Sequence, residues 1–257
     1  MAYGSLKVYL AGIIRMHVEA GFHNTIRDDE LLYLTMQGIK RQHGEVRRPR
    51  LPITIHKMRI IKEALARHPL LCHQDKGMLW AAFTLAFFGF LRVSEFTSPT
   101  TSTFDPSRTL LVQDIALGEV LSIKIKASKT DPFCRGCVVT IAPSRAAVCA
   151  VEAYKAHVNM QPRSRHVPAF QFQNGQFLTR QAVTQTIQDL LTRAGVPDVH
   201  CYTSHSFRSG AATTAAEAHL PDWLIKTLGR WRSDAYQVYI NTPRSVKATV
   251  PLLLATL

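Results

Sequence analysis

Two side chains three residues apart could bind an anion at the start of a predicted helix. His205 and Arg208 lie in the segment 203–208, where Ser204 is a typical residue for the position before a helix. Side chains at this spacing share one helix face, next to backbone N–H groups that favour negative charge. Taken alone, the spacing is explained more simply by a solvated histidine and a surface arginine, so its meaning depends on other segments.

A second charged pair follows the most apolar stretch of the chain. Met78–Leu91 ends directly before Arg92, and Glu95 comes three residues later. An arginine beside buried surface needs a partner, and Glu95 is the nearest acceptor. The alternative is an arginine that only complements the carbonyl end of a helix.

Further chemical groups lie in a turn and near the C-terminus. Lys129 lies in a polar turn between two predicted strands, where its flexible ammonium group could reach a site, although an ordinary hairpin lysine fits the pattern too. Trp231 lies between two arginines, Arg230 and Arg232, and two tyrosines follow it, Tyr236 and Tyr239. These residues combine cationic and indole donors with phenols, whereas core packing is the simpler interpretation of the aromatic rings.

The elements that hold these groups are mostly helical. Apolar spacing predicts helices within the first fifty residues and over 53–69, and Met78–Leu91 predicts a core helix. Short β-branched runs over 110–142 predict a small antiparallel sheet. Helical patterns return over 145–158, 179–194, 205–219, 222–228 and 233–240, with Thr179 as a start signal and Gly229 as a left-handed stop. The predicted fold class is therefore mainly α with a small antiparallel β-sheet (α+β).

Composition and charge point to a globular protein that binds nucleic acid. The 257 residues include 31 Lys and Arg against 18 Asp and Glu, a net charge of +13. This excess attracts polyanions, and nucleic acid is a better fit than an anionic membrane. We name the segment 47–50 the basic connector: Arg47, Arg48 and Arg50 surround Pro49, and Lys40 and Arg41 precede it. We predict that these five cations bind a duplex backbone, although a solvated linker is the alternative interpretation. The connector also marks a predicted boundary between domains 1–48 and 49–257.

Metal and export are not favoured by the sequence. Cys134 and Cys137 form a CxxC, but no second ligand pair follows at zinc-site spacing, and a β-turn explains the pair. A metal-dependent nuclease built on Asp28, Asp29 and Glu30 is a rival interpretation, yet acidic residues at a helix start explain them more simply. The N-terminus lacks the pattern of a secretory signal and no stretch is long enough to span a membrane, so we expect an intracellular protein.

Taken together and in this order, the segments resemble the tyrosine recombinases of the phage-integrase type. The resemblance covers about residues 50–250. The segments 85–96 (LAFFGFLRVSEF), 128–133 (SKTDPF) and 220–231 (LPDWLIKTLGRW) are more narrowly similar to the recombinases of eukaryotic mobile elements, the DIRS-like and crypton-like kinds. The resemblance implies a tyrosine-recombinase catalytic domain preceded by a partial helical DNA-binding domain. It also implies double-stranded DNA as the partner, a homo-oligomer on that DNA, a nuclear location and no metal or small-molecule cofactor.

Carried over position by position, the resemblance implies a role for each candidate residue. Arg92 and Arg208 would stabilise the phosphate oxygens, Glu95 would orient Arg92, Lys129 would be the general acid and His205 the base. Trp231 would donate its indole N–H to a phosphate oxygen and pack the site, and Tyr239 would be the nucleophile. The spacing from Trp231 to Tyr239 is one residue shorter than in bacterial and phage members, so Tyr236 remains a second candidate nucleophile. Residues 1–48 match only part of the expected DNA-binding domain, which suggests a fragment of a longer reading frame. A recombinase fold that binds DNA without cutting it is the main alternative function.

Overall fold

The chain divides into two compact units. The computed structural model describes residues 3–22, 25–43, 50–127, 135–160, 163–231, 233–234 and 237. The first unit is Met1–Pro49 and the second is Arg50–Leu257. The assignment of the first unit to DNA binding remains a prediction.

The first unit contains two α-helices in its described part. Helix α1 spans Tyr3–Glu19 and helix α2 spans Glu30–His43. The side chain of Asp29 accepts a hydrogen bond from the backbone N–H of Leu32 at 2.8 Å, which satisfies a donor at the start of α2. Asp29 therefore has the capping role that the acidic cluster suggested.

The second unit is mainly helical, as predicted. Its helices in the described residues are α3 (Ile55–Ala66), α4 (His73–Phe88), α5 (Val93–Phe96), α6 (Ala150–Met160), α7 (Arg180–Arg193), α8 (Ser206–Glu217) and α9 (Asp222–Leu228). The side chain of Thr179 accepts from the backbone N–H of Ala182 and caps α7, as the sequence predicted. Ser204 does not cap α8: His205 occupies that position, and the Ser204 hydroxyl is buried without a hydrogen-bond partner among the described residues.

Helix α4 forms the centre of the second unit. Its buried residues run in succession around the helix from Ala81 to Phe87, so no face is left for solvent. It packs against α3, α6 and α8. The ring of Phe83 lies 5.0 Å from that of Phe207 on α8, which ties the central helix to the helix that carries Arg208.

An extended segment before α3 runs close to α8. The backbone N–H of Ile53 donates to the carbonyl of Ser206 at 2.9 Å. At the point of closest approach α8 has Gly210, where an added Cβ would lie 1.9 Å from the carbonyl oxygen of Ile53. Only glycine permits this contact, which fixes the position of α8 in the core.

The three-stranded antiparallel sheet has the order β1–β2–β3. The strands are β1 (Ile115–Leu117), β2 (Leu121–Ile125) and β3 (Cys137–Ile141). Ile123 on the central strand pairs with Ile115 on one side and Val139 on the other. The sheet lies within the predicted range 110–142. Its strands form there because their β-branched and aliphatic side chains favour a half-buried pleated surface.

Candidate active site

The loop between α4 and α5 presents two backbone carbonyls to arginine side chains. Gly89 caps the C-terminal end of helix α4, and an added Cβ there would lie 2.8 Å from the carbonyl oxygen of Leu85. Phe90 follows with a positive φ of 48°, a conformation that turns the chain sharply. The carbonyls of Gly89 and Phe90 both accept hydrogen bonds from arginines far away in the sequence.

Glu95 holds Arg92 in place through the backbone and the side chain. Its carboxylate accepts from the Arg92 backbone N–H at 2.9 Å and from Arg92 Nη1 at 3.0 Å. The Glu95 side chain is fully buried, whereas 16% of the Arg92 side chain is exposed. The structure thus places Arg92 beside the partner that the sequence suggested.

A third arginine, Arg230, reaches the same carboxylate. Its Nη2 lies 2.6 Å from Glu95 Oε2, and its Nη1 donates to the Gly89 carbonyl at 3.1 Å. Its Nε is buried and has no hydrogen-bond partner among the described residues. Sequence reasoning treated Arg230 only as a cation beside Trp231. The contact with Glu95 spans 135 positions, and no local pattern reports it.

Arg208 is buried against the same loop. It donates from Nη1 to the carbonyl of Phe90 at 2.7 Å and from Nη2 to the carbonyl of Gly229. Trp231 covers it: the Arg208 Cζ lies 4.3 Å from the centre of the indole. Trp231 also meets Phe90 edge-on, with ring centres 6.3 Å apart. The indole therefore packs on the guanidinium of Arg208, and its role as a phosphate donor stays a prediction.

The turn after α9 differs from the sequence prediction. Gly229 has a right-handed backbone with φ of −79°, and Arg230 adopts the left-handed conformation with φ of +55°. Glycine is required at position 229 for a different reason, because an added Cβ would lie 1.5 Å from the Trp231 ring. Close packing against the Trp231 indole therefore explains why residue 229 is glycine. The left-handed backbone belongs to Arg230, whose side chain makes the contacts with Glu95 and Gly89 described above.

His205 lies at the start of α8, three residues before Arg208. It is half-buried, and its backbone N–H donates to the Thr203 hydroxyl at 3.3 Å. The two predicted site residues thus share the first turn of one helix.

The cluster carries a net positive charge. Arg92, Arg208 and Arg230 together bear three positive charges against the single negative charge of Glu95, and the Phe90 carbonyl links Arg208 to Arg230. A partly buried cluster of guanidinium groups favours a polyatomic anion such as phosphate, because planar N–H pairs match its oxygens. The arrangement can therefore hold a phosphate group beside α8.

Comparison with solved structures identifies the fold. The chain is similar to the Tn1549 transposon integrase in complex with transposon right end DNA, with a TM-score of 0.56 and 14% identity over 96% of this chain and 84% of that one. It is also similar to the XerH site-specific recombinase in a post-cleavage complex with a palindromic difH substrate, with a TM-score of 0.55 and 14% identity over 77% of this chain and 51% of XerH. The chain has the fold of a tyrosine recombinase.

The chain is also similar in sequence to an integrase/recombinase. The chain is 26% identical over 237 residues to the integrase/recombinase xerD homolog of Selenomonas ruminantium. The matched region covers 88% of this chain and 64% of the relative. The chain thus spans less than two thirds of the length of that relative. No protein-family model matches the sequence.

Several residues predicted from the tyrosine-recombinase resemblance lie outside the described residues. Lys129, Tyr236 and Tyr239 are among them, as are Arg47 and Arg48 of the basic connector. Lys40 and Arg41 are exposed in the last turn of α2, and Arg50 is exposed at the start of the second unit. The structure therefore brings together Arg92, Glu95, Arg208 and Trp231 of the predicted recombinase site.

The described residues show no metal site. They contain no group of three His, Cys, Asp or Glu side chains placed to hold a metal ion. Cys137 opens strand β3, and Cys134 lies outside the described residues. No helix in the described part of the chain is long and apolar enough to cross a membrane.

Proposed function

We propose that this protein cleaves and rejoins DNA strands through a covalent 3′-phosphotyrosyl intermediate. The observation that supports this most strongly is the arginine cluster around Glu95, which lies within a tyrosine-recombinase fold. Strand cleavage builds negative charge on the non-bridging phosphate oxygens. Arg92 and Arg208 supply hydrogen-bond donors for that charge, which is usually the largest catalytic contribution.

The chemical step uses four further groups named from the sequence. The Tyr239 hydroxyl attacks phosphorus and gives up its proton to His205, while the bond from phosphorus to the 5′-oxygen breaks. Lys129 protonates that oxygen, so the products are a 3′-phosphotyrosyl bond and a free 5′-hydroxyl. A 5′-hydroxyl from a second strand reverses these steps, and ligation needs neither ATP nor metal. Trp231 supports Arg208 by packing on its guanidinium.

Double-stranded DNA is the proposed partner. The net charge of +13 favours a polyanion, and the exposed cations Lys40, Arg41 and Arg50, with Arg47 and Arg48, are suited to the duplex backbone. XerH is bound to a palindromic substrate, and a palindromic site matches a two-fold symmetric protein. By analogy this protein assembles as a homo-oligomer on DNA.

The biological setting that we propose is recombination or integration of a eukaryotic mobile element, inside the nucleus. The three segments that resemble DIRS-like and crypton-like recombinases support this assignment. The similarity to a transposon integrase is consistent with it.

A nicked suicide substrate tests the proposal. The nick releases a short oligonucleotide after cleavage, so that religation cannot occur and a covalent protein–DNA adduct accumulates. The wild type and Tyr236→Phe should form the adduct, whereas Tyr239→Phe should form none and still shift DNA in a gel. An adduct with Tyr239→Phe but not Tyr236→Phe would move the nucleophile to Tyr236. DNA binding without an adduct from any of the three proteins would favour a binding protein that retains the fold.

A further inference from the structure

Arg230 makes the connection between the two ends of the candidate site. It donates to the carbonyls of Gly89 and Phe90 and forms an ion pair of 2.6 Å with Glu95. Only 19% of its side chain is exposed. The contacts join the turn after α9 to the loop that precedes Arg92.

The backbone at Arg230 shows that its position is specific. A left-handed conformation is unfavourable for residues other than glycine, asparagine and aspartate, and Arg230 adopts it with φ of +55°. Its N–H donates to the Thr227 carbonyl, and the N–H of Trp231 donates to that of Lys226. This turn aims the guanidinium of Arg230 at Glu95 while the next residue covers Arg208.

The two arginines on Glu95 have different relations to it. Arg92 is a near neighbour that binds Oε1 with its side chain and Oε2 with its backbone. Arg230 binds Oε2 alone and reaches it from another part of the chain. Because Oε2 is shared, a change at Arg230 alters the position of the carboxylate that orients Arg92.

We propose that Arg230 is a positioning residue for strand cleavage, which acts through Glu95 to fix Arg92. The inference rests on the proposed function. Arg230 carries no role in the predicted catalytic set, and its contacts extend that set by one arginine. Loss of its side chain leaves Glu95 free to rotate away from Arg92, so cleavage slows while the cationic pocket still attracts DNA.

A double-variant cycle tests this proposal with the full chain. Single-turnover adduct formation is measured at saturating nicked DNA for the wild type, Arg230→Met, Glu95→Gln and the double variant. Each single change should slow cleavage about tenfold or more, which is less than the roughly 10²–10³-fold cost of losing a direct transition-state donor. The double variant should be no more than about threefold slower than the slower single variant, because both changes interrupt the same path.

Controls separate this role from folding and from charge. Thermal unfolding and DNA affinity are measured for every variant, and Arg230→Lys should recover part of the rate because it keeps the charge opposite Glu95. Arg108→Met removes an exposed arginine of the second unit, 71% of whose side chain is in solvent, and should leave the rate unchanged. If Arg230→Met reduces the fraction of folded protein, the double-variant cycle is measured with Arg230→Lys in its place.

The outcomes distinguish this inference from the proposed function. Absence of an adduct from the wild type would overturn the proposed function and this inference with it. A normal rate for Arg230→Met, or losses that multiply in the double variant, would overturn the positioning role alone while leaving the recombinase function intact.

Discussion

Replacement of Glu95 by glutamine should separate DNA binding from DNA cleavage. The carboxylate accepts three hydrogen bonds, two from Arg92 and one from Arg230, with its side chain fully buried. An amide oxygen at the Oε2 position can keep the bonds from the Arg92 backbone and from Arg230. The amide nitrogen then faces Arg92 Nη1 at the 3.0 Å separation, donor against donor.

The expected loss in the free energy of unfolding follows from these contacts. Removal of one partner from a buried ion pair costs about 3–5 kcal/mol, and the partial exposure of both arginines reduces this to about 2–3 kcal/mol. For a unit of this size that loss corresponds to a decrease in Tm of about 4–12 °C. DNA affinity should not fall, because the change removes a negative charge beside the proposed phosphate site.

The assay combines three measurements on one preparation. Circular dichroism gives Tm, fluorescence anisotropy gives the DNA Kd, and the nicked substrate gives the cleavage rate. Glu63→Gln is the matched control, since Glu63 is exposed on α3 and should change none of the three. A Glu95→Gln protein with unchanged Tm and a normal cleavage rate would refute the role assigned to the carboxylate.

Three further predictions concern packing, pH and salt. Gly210→Ala should destabilise the second unit by about 1–3 kcal/mol in urea unfolding, because the added Cβ meets the Ile53 carbonyl. The control Gly77→Ala displaces only the flexible end of a methionine and should cost less. Equal losses of stability in the two variants would contradict the close contact at Gly210. Burial lowers the pKa of His157 to about 4, so the unfolded state takes up a proton between about pH 6.5 and 4 while the native state does not. The free energy of unfolding should therefore be highest above pH 6.5 and fall by up to about 3 kcal/mol towards pH 4. A His157→Leu variant that keeps the same pH dependence would exclude this cause. Each DNA phosphate that the protein neutralises should contribute about −0.9 to the slope of the logarithm of the DNA-binding constant against the logarithm of the salt concentration. Alanine at the three arginines of the basic connector should make this slope shallower. An unchanged slope would show that the connector does not contact DNA.

Local sequence patterns were sufficient to predict most elements of the fold. The apolar run Met78–Leu91 predicts a core helix, and α4 is the central helix of the second unit. The β-branched runs between 110 and 142 predict the antiparallel sheet, and Thr179 predicts the start of α7. In each case the signal lies within a few residues of its structural effect.

Long-range contacts explain what the sequence did not predict. Gly229 is typical of a left-handed helix end, yet packing against Trp231 is what requires glycine there, and Arg230 takes the left-handed backbone. The pairing of Arg230 with Glu95 depends on the tertiary fold, so spacing could not report it. The resemblance drew attention to Arg208 and Trp231 as site residues, but their stacking on each other is a result of packing.

The residue that becomes linked to DNA decides whether this protein is a strand transferase. The wild-type adduct from the nicked substrate is digested with nuclease and trypsin, and mass spectrometry locates the residue that retains a nucleotide. We expect a nucleotide on Tyr239, joined through its phenolic oxygen to the 3′-phosphate. A wild-type protein that binds the substrate but carries no nucleotide on any tyrosine would contradict the claim that it is a strand transferase.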